Sequence, residues 1–221
     1  MSLKKFEAEE SFLKTINEID ILLKYAIKER DNENEGSRRL FLKLAIVASV
    51  TKFQIFIESI LKEYLYLLKN SNRKNKDLNC HLRLNSLKLY FDKVKFDKEL
   101  ANHLTYDDIK LNEVRNNLKK LNNFCKDNRS VDDSLKFETK FPMGKQGLKE
   151  LKKLFRQING EDIFDNDKTF DINKLNEILG RRHAIIHEDT NPQITEKTIE
   201  EYRHFLINLI IYISDYLRKH I

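Results

Sequence analysis

The residues best suited to chemistry lie together in the last third of the chain, in Leu179-Gly-Arg-Arg-His-Ala-Ile-Ile-His-Glu188. Histidine can act as acid and as base near neutral pH, and arginine offers a permanent forked charge to phosphate oxygens. Cleaving an RNA phosphodiester needs a base for the 2′-hydroxyl, an acid for the leaving 5′-oxygen and a cation for the phosphorane. The first hypothesis is therefore a phosphodiesterase site. Because the 2′-hydroxyl is the nucleophile, this chemistry needs no metal or other cofactor.

The spacing within this segment constrains how its residues can meet. Arg182 and His187 are five positions apart, which is about 500° of helical rotation, so they project about 140° apart from a straight helix. They converge more easily if the helix frays after Ile186, or if a second copy of the chain supplies matching residues across a two-fold axis. The second arrangement predicts a homodimer with two Arg–His pairs in one cleft.

A metal site is the second hypothesis for the segment. His183 and His187 are four positions apart and share a helix face, as in helical zinc pairs, with Glu188 or Asp189 as a further ligand. However, no Glu follows His183 directly, and no Cys/His cluster lies nearby in the sequence. We therefore assign no metal ligands.

Two further hypotheses involve no catalysis. Arg and His near the C-terminal end of a helix favour the helix dipole and bond its last carbonyls. Alternatively, Arg181 and Arg182 grip a nucleic-acid backbone without cutting it. The residue types and their spacing leave both alternatives open beside the phosphodiesterase site.

The elements that must position this segment are expected to be helices. Apolar residues recur at close to a 3.6-residue period over Leu3–Lys28 and over Arg38–Leu68, where they occupy several sides, as in a central helix. Asp171 and Thr195 are good N-caps for two further amphipathic helices on either side of the Asn191-Pro192 break. Scarce Gly (5) and Pro (2) exclude a many-stranded sandwich or barrel, which needs frequent tight turns. The sequence predicts an all-α, antiparallel four-helix bundle.

Residues 70–166 are the least regular part of the chain. We interpret them as a mostly helical insertion within a single domain of residues 1–221. Leu82–Phe96 and Asp107–Phe124 carry helical apolar patterns. The alternation in Phe137–Phe141 indicates a short strand, although an isolated strand is marginally stable.

The overall composition bears on partners and cellular setting. The net charge of +6, from 41 Lys and Arg against 35 Asp and Glu, is compatible with a polyanionic partner, but an AT-rich genome gives the same balance. Cys80 and Cys125 are too few to staple 221 residues, so both are expected to be reduced thiols. The chain starts with charged residues, and its most apolar stretch, Phe205–Ile213, is shorter than the roughly 18–20 residues of a membrane span. We expect a cytoplasmic protein that does not enter a membrane.

Several parts of the chain resemble a known family. Arg182-His-Ala-Ile-Ile-His187 matches the signature of HEPN domains, which is Arg, a polar residue, three further residues and His. The loop with Pro192 and the amphipathic helix from Thr195 are similar to the C-terminal half of such a domain. The stretch Ala45-Ile-Val-Ala-Ser-Val50, followed by Glu58-Ser-Ile-Leu61, is similar to the second helix of the RiboL-PSP type of HEPN protein.

The resemblance covers Arg38–Leu68 and Asp171–Leu217, and it implies both a fold and an activity. Most HEPN proteins are metal-independent endoribonucleases that work as dimers in toxin–antitoxin, anti-phage and RNA-processing roles. The resemblance therefore implies a HEPN-like bundle that cleaves RNA by 2′-hydroxyl transesterification as a homodimer, with an antitoxin or regulatory protein as a further partner. Since some HEPN proteins lack activity, the alternative is a non-catalytic helical module that binds RNA or a protein.

The same resemblance implies roles for individual residues. By position, Arg182 stabilises the phosphorane, His187 acts as general acid or base or orients the 2′-hydroxyl, and His183 is the polar auxiliary. Glu58 is implied to support Arg182 or the histidines, although it also lies on a polar stripe with Gln54.

Contacts to the RNA backbone are expected from other cations. The basic run containing Arg73, Lys74 and Lys76 is typical of a solvated loop, and it is a backbone contact if the protein binds RNA. Arg181 is expected to add a further phosphate contact beside the motif.

Overall fold

The computed structural model describes residues 5–94, 108–142, 147–164, 171–187 and 193–221, and these are mostly helical, with no β-strand among them. The prediction of an all-α fold is confirmed. The helices of the described part are α1 (Glu7–Thr15), α2 (Glu18–Asp31), α3 (Glu35–Lys69), α4 (Cys80–Val94), α5 (Asp108–Phe124), α6 (Gly147–Asn159), α7 (Ile172–His187) and α8 (Glu196–Arg218).

The single helix expected over Leu3–Lys28 is divided into α1 and α2. The break falls at Ile16 and Asn17, where the N–H of Ile19 donates to the Ile16 carbonyl at 3.1 Å and the next N–H donates to the Asn17 carbonyl at 3.0 Å. These bonds span three residues instead of four, so the chain tightens locally. Ile16 remains buried. The apolar periodicity therefore continues from α1 into α2, and it gives no sign of the break between them.

Helix α3 is the central element, as the apolar pattern predicted. It buries residues on several sides, including Ile46, Phe53 and Ile60. By length and composition α3 is long and apolar enough to cross a membrane, which corrects the expectation that no segment reaches that length. The core helix of a bundle meets the same criterion, because neighbours on several sides require apolar residues on several sides.

The chain divides into two compact units. The first comprises residues 1–64, 139–154 and 162–221, and the second comprises residues 65–138 and 155–161. The interpretation of residues 70–166 as an insertion within a single domain stays a prediction.

In the first unit, α3 and α8 run parallel. At their starts, Arg38 grips Glu196 through two hydrogen bonds of 2.9 and 2.7 Å. At their ends, the Tyr64 hydroxyl donates to the His220 carbonyl at 3.1 Å. Two long helices fastened at both ends form a frame for the first unit, and α1 and α2 contact the second of them, α8.

Helices α1, α2 and α7 of the first unit run antiparallel to this frame. The Glu63 carboxylate near the end of α3 accepts the N–H groups of Glu7 and Ala8, which caps the start of α1. Near the middle of α3, Lys52 pairs with Glu18 at the start of α2 at 2.8 Å. Helix α7 lies antiparallel to α8, because contacts join the start of α7 to the second turn of α8 and a later turn of α7 to the segment before α8. The arms α1–α2, α3, α7 and α8 therefore make the antiparallel four-helix arrangement that the sequence predicted.

The second unit contains α4 and α5 with the ends of α3 and α6. The buried Asn75 side chain donates to the carbonyl of Lys126 at 3.1 Å, which ties the turn after α3 to the end of α5. Gly160 has φ of +87°, and a Cβ on it would lie 2.3 Å from the His81 ring, so only glycine fits here. Cys80 and Cys125 are exposed free thiols, as expected.

The strand indicated by Phe137–Phe141 is not formed. Both phenylalanines are buried, but the segment is irregular coil. The main-chain groups of Phe141 are bonded to side chains of α3 and not to a neighbouring strand. The alternation of apolar and polar residues in this segment therefore reflects the burial of the two phenylalanines and not a β-sheet.

The Arg38–Glu196 pair generates a stability prediction. Its side chains are only 16% and 13% exposed, so Glu196→Gln should lower the free energy of unfolding at neutral pH by roughly 1–3 kcal/mol. Hydrogen bonding from Arg38 lowers the pKa of Glu196 from 4.5 to about 2. The stabilisation is therefore complete above pH 4.5 and is lost as the pH falls toward 2. Urea unfolding at a series of pH values should show the gap between the two proteins narrowing in acid.

Glu18→Gln is the control for this experiment. Glu18 is 62% exposed, so losing its pair with Lys52 should change the free energy of unfolding by less than about 0.5 kcal/mol. A difference in the free energy of unfolding between wild type and Glu196→Gln that stays constant from pH 7 to pH 3 would contradict stabilisation by the ionised Glu196.

Candidate functional site: the C-terminal turns of helix α7

Helix α7 begins with the cap that the sequence predicted. The Asn173 N–H donates to the Asp171 carboxylate at 3.0 Å, which satisfies one of the free donors of the first turn. The helix then buries Leu175, Ile178 and Leu179. A Cβ on Gly147 would lie 2.7 Å from Leu179, so the glycine lets the start of α6 press on α7. These contacts set the position of the helix one turn before the motif.

Arg182 continues the buried stripe of α7. It lies seven positions after Leu175 and four after Ile178, and Ile186 follows four positions later, so all share the face that we call the core-facing stripe. Arg182 is half-buried, yet Ile186 is 44% exposed. The stripe thus changes at Arg182 from a buried apolar surface to a partly open one that carries a cation.

The Arg182 guanidinium differs from its counterparts elsewhere in the fold. Its Nε is buried and has no hydrogen-bond partner among the described residues, which provide no ion-pair partner either. Arg203 and Arg218 also have an unbonded Nε, but their terminal nitrogens pair with carboxylates, such as Asp20 for Arg203. A desolvated guanidinium nitrogen without an acceptor is unfavourable. Arg182 is therefore suited to receive an anion.

The two histidines of the motif lie together. The rings of His183 and His187 are 4.6 Å apart between centroids and tilted by 43°. His187 is exposed and His183 is half-buried. Helix α7 continues through His187, so the fraying considered after Ile186 does not occur. Within one chain, the helix brings His187 to His183, while the angle of about 140° between His187 and Arg182 is retained.

Arg181 is held by contacts within the first unit. Its guanidinium pairs with Glu177 at 2.8 Å, donates to the Gln193 carbonyl at 3.0 Å and lies 5.6 Å from the ring centre of Tyr202. It ties α7 to the chain segment that leads into α8. These contacts favour a positioning role, and the RNA contact expected of Arg181 stays a prediction.

Tyr202 is a site residue that sequence reasoning missed. Its hydroxyl donates to Glu177 at 2.5 Å, so Glu177 accepts from both Arg181 and Tyr202. Burial and the hydrogen bond to Glu177 raise the pKa of Tyr202 above its ordinary value. The spacing of Glu177 and Arg181 by four residues was a visible signal for their pair. No sequence pattern connects Tyr202 to them.

Glu58 contacts the main chain of Phe141 and the side chain of Gln54. Its Oε1 accepts the Phe141 N–H at 3.2 Å and the Gln54 side-chain amide at 3.2 Å. Gln54 in turn donates to the Phe141 carbonyl at 3.1 Å. The two side chains together hold the main chain of Phe141 against α3. Among the described residues the structure does not join Glu58 to Arg182 by a hydrogen bond or an ion pair, so that role stays a prediction.

The basic run expected to contact RNA belongs to the second unit. Lys74 and Lys76 are exposed, and Arg73 is half-buried. The Lys74 ammonium donates to the Ser130 hydroxyl at 3.3 Å, and the Arg73 carbonyl accepts the Val131 N–H at 3.0 Å. The run is therefore part of an ordered turn, and its RNA contacts stay predictions.

A metal site around the histidines lacks further ligands in the described part of the chain. No group of three or more His, Cys, Asp and Glu side chains with metal-binding geometry occurs there. Glu188 and Asp189, the further ligands considered from the sequence, lie outside the described residues.

The helical arrangement and the Arg–His motif together define an all-α protein of the HEPN class. The chain belongs to the RiboL-PSP-HEPN family, whose family model matches residues 10–219. The suspected resemblance is thereby confirmed, and the match also extends through the middle of the chain, which resembled nothing from sequence alone. No curated protein and no solved structure gives a significant match.

The contacts of Arg181 generate a prediction about α7. Arg181→Ala should lower the free energy of unfolding by about 1–3 kcal/mol, because it removes two charge-assisted hydrogen bonds and leaves Glu177 with one donor fewer. Urea unfolding measures the loss. Lys153→Ala is the control, since Lys153 is 74% exposed and its change should stay within about 0.5 kcal/mol. Equal stabilities for wild type and Arg181→Ala would rule out the positioning role.

Proposed function

We propose that the chain is a metal-independent endoribonuclease that acts as a homodimer. The observation that carries this proposal is Arg182, a half-buried arginine on the core-facing stripe whose buried Nε has no acceptor among the described residues. A desolvated cation is stabilised when a ligand supplies the anion. An RNA phosphate is such an anion, and the ring of His187, which adjoins that of His183, offers an acid or a base for the reaction.

The proposed reaction is transesterification within the RNA. The 2′-oxygen bonds to phosphorus while the bond from phosphorus to the 5′-oxygen breaks. One histidine takes the proton of the 2′-hydroxyl, and one gives a proton to the 5′-oxygen. The products are a 2′,3′-cyclic phosphate and a 5′-hydroxyl. Arg182 stabilises the charge that develops on the phosphorane oxygens, His187 transfers protons, and His183 positions the His187 ring.

The homodimer is proposed because one chain leaves Arg182 and His187 on different sides of α7. Ile186 is 44% exposed on a stripe that is buried at Leu179, about two turns earlier. A Cβ on Gly180 would meet nothing within 4 Å, so this part of the helix surface is open to close approach. A second subunit would bury Ile186. Pairing about a two-fold axis would set Arg182 opposite the partner subunit's His187.

The biological setting is part of the same proposal. An RNA-cleaving enzyme of this family fits a toxin–antitoxin or anti-phage role in the cytoplasm. An antitoxin or regulatory protein would then hold the activity in check until it is needed. The family match supports this role, since such activities are common among HEPN proteins.

Cleavage of mixed RNA in EDTA tests the activity. Arg182→Ala and His187→Ala should each lower the cleavage rate at least about a hundredfold, because each removes a group that acts on the transition state. The fragments should carry 2′,3′-cyclic phosphates. Arg115→Ala and His204→Ala are matched controls at exposed positions, and they should cleave at the wild-type rate.

The other outcomes separate the competing hypotheses. Undiminished cleavage by His187→Ala would eliminate the mechanism. Gel shifts of intact RNA without any fragments would support the non-catalytic binding module. Loss of wild-type activity in EDTA, with metal found by elemental analysis, would support a zinc site at His183 and His187.

Sedimentation velocity tests the dimer. The wild-type protein should sediment at twice its chain mass of 26.4 kDa. Ile186→Glu should shift it toward the monomer, because a charge at a buried interface is strongly unfavourable. Ile211→Glu is the control, since Ile211 is similarly exposed at 37% but lies on α8. A wild-type monomer at tens of micromolar, or an Ile186→Glu dimer of unchanged affinity, would refute this interface.

A further inference from the structure

A basic cavity lies in the first unit, next to the motif but separate from it. It has a volume of about 440 Å³ and lies between the first turns of α3 and the start of α8. Among the described residues its charged lining consists of Arg38, Arg39, Lys43 and Glu35. A cavity of this size is within the range that holds small molecules or a part of a larger ligand.

The charges in this cavity are not equally available. Arg38 is fully engaged, with both terminal nitrogens and its Nε bonded to Glu196 or Glu35. Arg39 bonds Glu35 only through its Nε, at 2.8 Å, and its side chain is 59% exposed. Lys43 has no ion pair among the described residues. The terminal nitrogens of Arg39 and the ammonium of Lys43 are therefore open to a ligand.

The arrangement of the two open cations favours phosphate. Arg39 and Lys43 are four positions apart on α3, so their side chains project from the same face about 5–6 Å apart at Cβ. A guanidinium fork and an ammonium are both strong donors to phosphate oxygens. The described lining contains no aromatic side chain on which a base could stack. The ligand chemistry is therefore that of a phosphodiester backbone and not of a base.

One contact connects the cavity with the motif. Gln193 lines the cavity, and its carbonyl accepts the hydrogen bond from Arg181, the residue before Arg182. We propose that Arg39 and Lys43 form a phosphate subsite that holds the RNA backbone to one side of the phosphate cleaved at Arg182. This subsite rests on the proposed function, because it assigns the same RNA substrate a second point of attachment.

Binding of an uncleavable RNA tests the subsite without relying on catalysis. The probe is a fluorescent 2′-O-methyl oligonucleotide, and fluorescence anisotropy of the full chain is measured over a range of salt concentrations. Arg39→Gln combined with Lys43→Gln should weaken binding at least about fivefold and reduce the slope of log affinity against log salt by roughly 1.4, or 0.7 for each lost phosphate contact. Arg182 is unchanged in this variant, so the motif itself stays intact.

A matched control removes two charges elsewhere. Lys24→Gln combined with Lys62→Gln changes two exposed lysines outside the cavity and should leave the salt slope within error of wild type. Lys43→Gln alone breaks no hydrogen bond or ion pair among the described residues, so it tests the subsite even if the double variant folds poorly. It should lower the slope by roughly 0.7.

The outcomes distinguish failure of the subsite from failure of the proposed function. Wild-type affinity and slope in the cavity variants, with RNA cleavage intact, would overturn the subsite alone. Weaker binding in those variants, with no cleavage by any protein, would support the subsite while the nuclease function fails. Absence of RNA binding by the wild type would overturn both. Weaker binding of uridine 5′-monophosphate without weaker oligonucleotide binding would overturn the backbone assignment.

Discussion

The constraint on which this protein depends is a cation at a position of α7 that would otherwise belong to the core. Arg182 follows Leu175 and Ile178 on the same stripe, and its buried Nε has no acceptor among the described residues, which is unfavourable for a guanidinium. The fold supplies carboxylates to nearby arginines, Glu177 to Arg181 and Glu196 to Arg38, but none to Arg182 among the described residues. Because the nearby arginines are paired with carboxylates and Arg182 is not, this part of the surface favours an anionic ligand at Arg182.

A short series of contacts connects the central helices of the bundle to the helix turn that carries Arg182. An ion pair at their starts and a hydrogen bond at their ends fasten α3 to α8, and the Thr195 cap begins α8 at a defined residue. Tyr202 on α8 bonds Glu177 on α7, and the Gln193 carbonyl, in the segment that leads into α8, accepts a hydrogen bond from Arg181. The motif is therefore attached to the central frame by side chains that take no part in the proposed chemistry. A site built on helices held in this way keeps its geometry better than one built on a loop.

Most of the fold was predictable because it depends on local patterns. The apolar period identified α3, and the caps at Asp171 and Thr195 identified the starts of α7 and α8. The prediction missed the break at Ile16 because a tightened turn keeps the buried face in register. It also assigned a strand to a segment whose alternation arises from two buried phenylalanines. In both cases the pattern records which residues are buried and not which main-chain groups bond.

The sequence by itself determined the residue types of the motif, the angle between Arg182 and His187, and the family to which the chain belongs. Only the tertiary structure decided that Arg181 holds α7 in place and that Glu58 bonds the main chain of Phe141. It also decided that the Nε of Arg182 has no acceptor among the described residues. The physical reason is that periodicity and capping act between near neighbours along a helix. Which carboxylate reaches which arginine depends instead on how helices pack, and residues far apart in the chain settle that together.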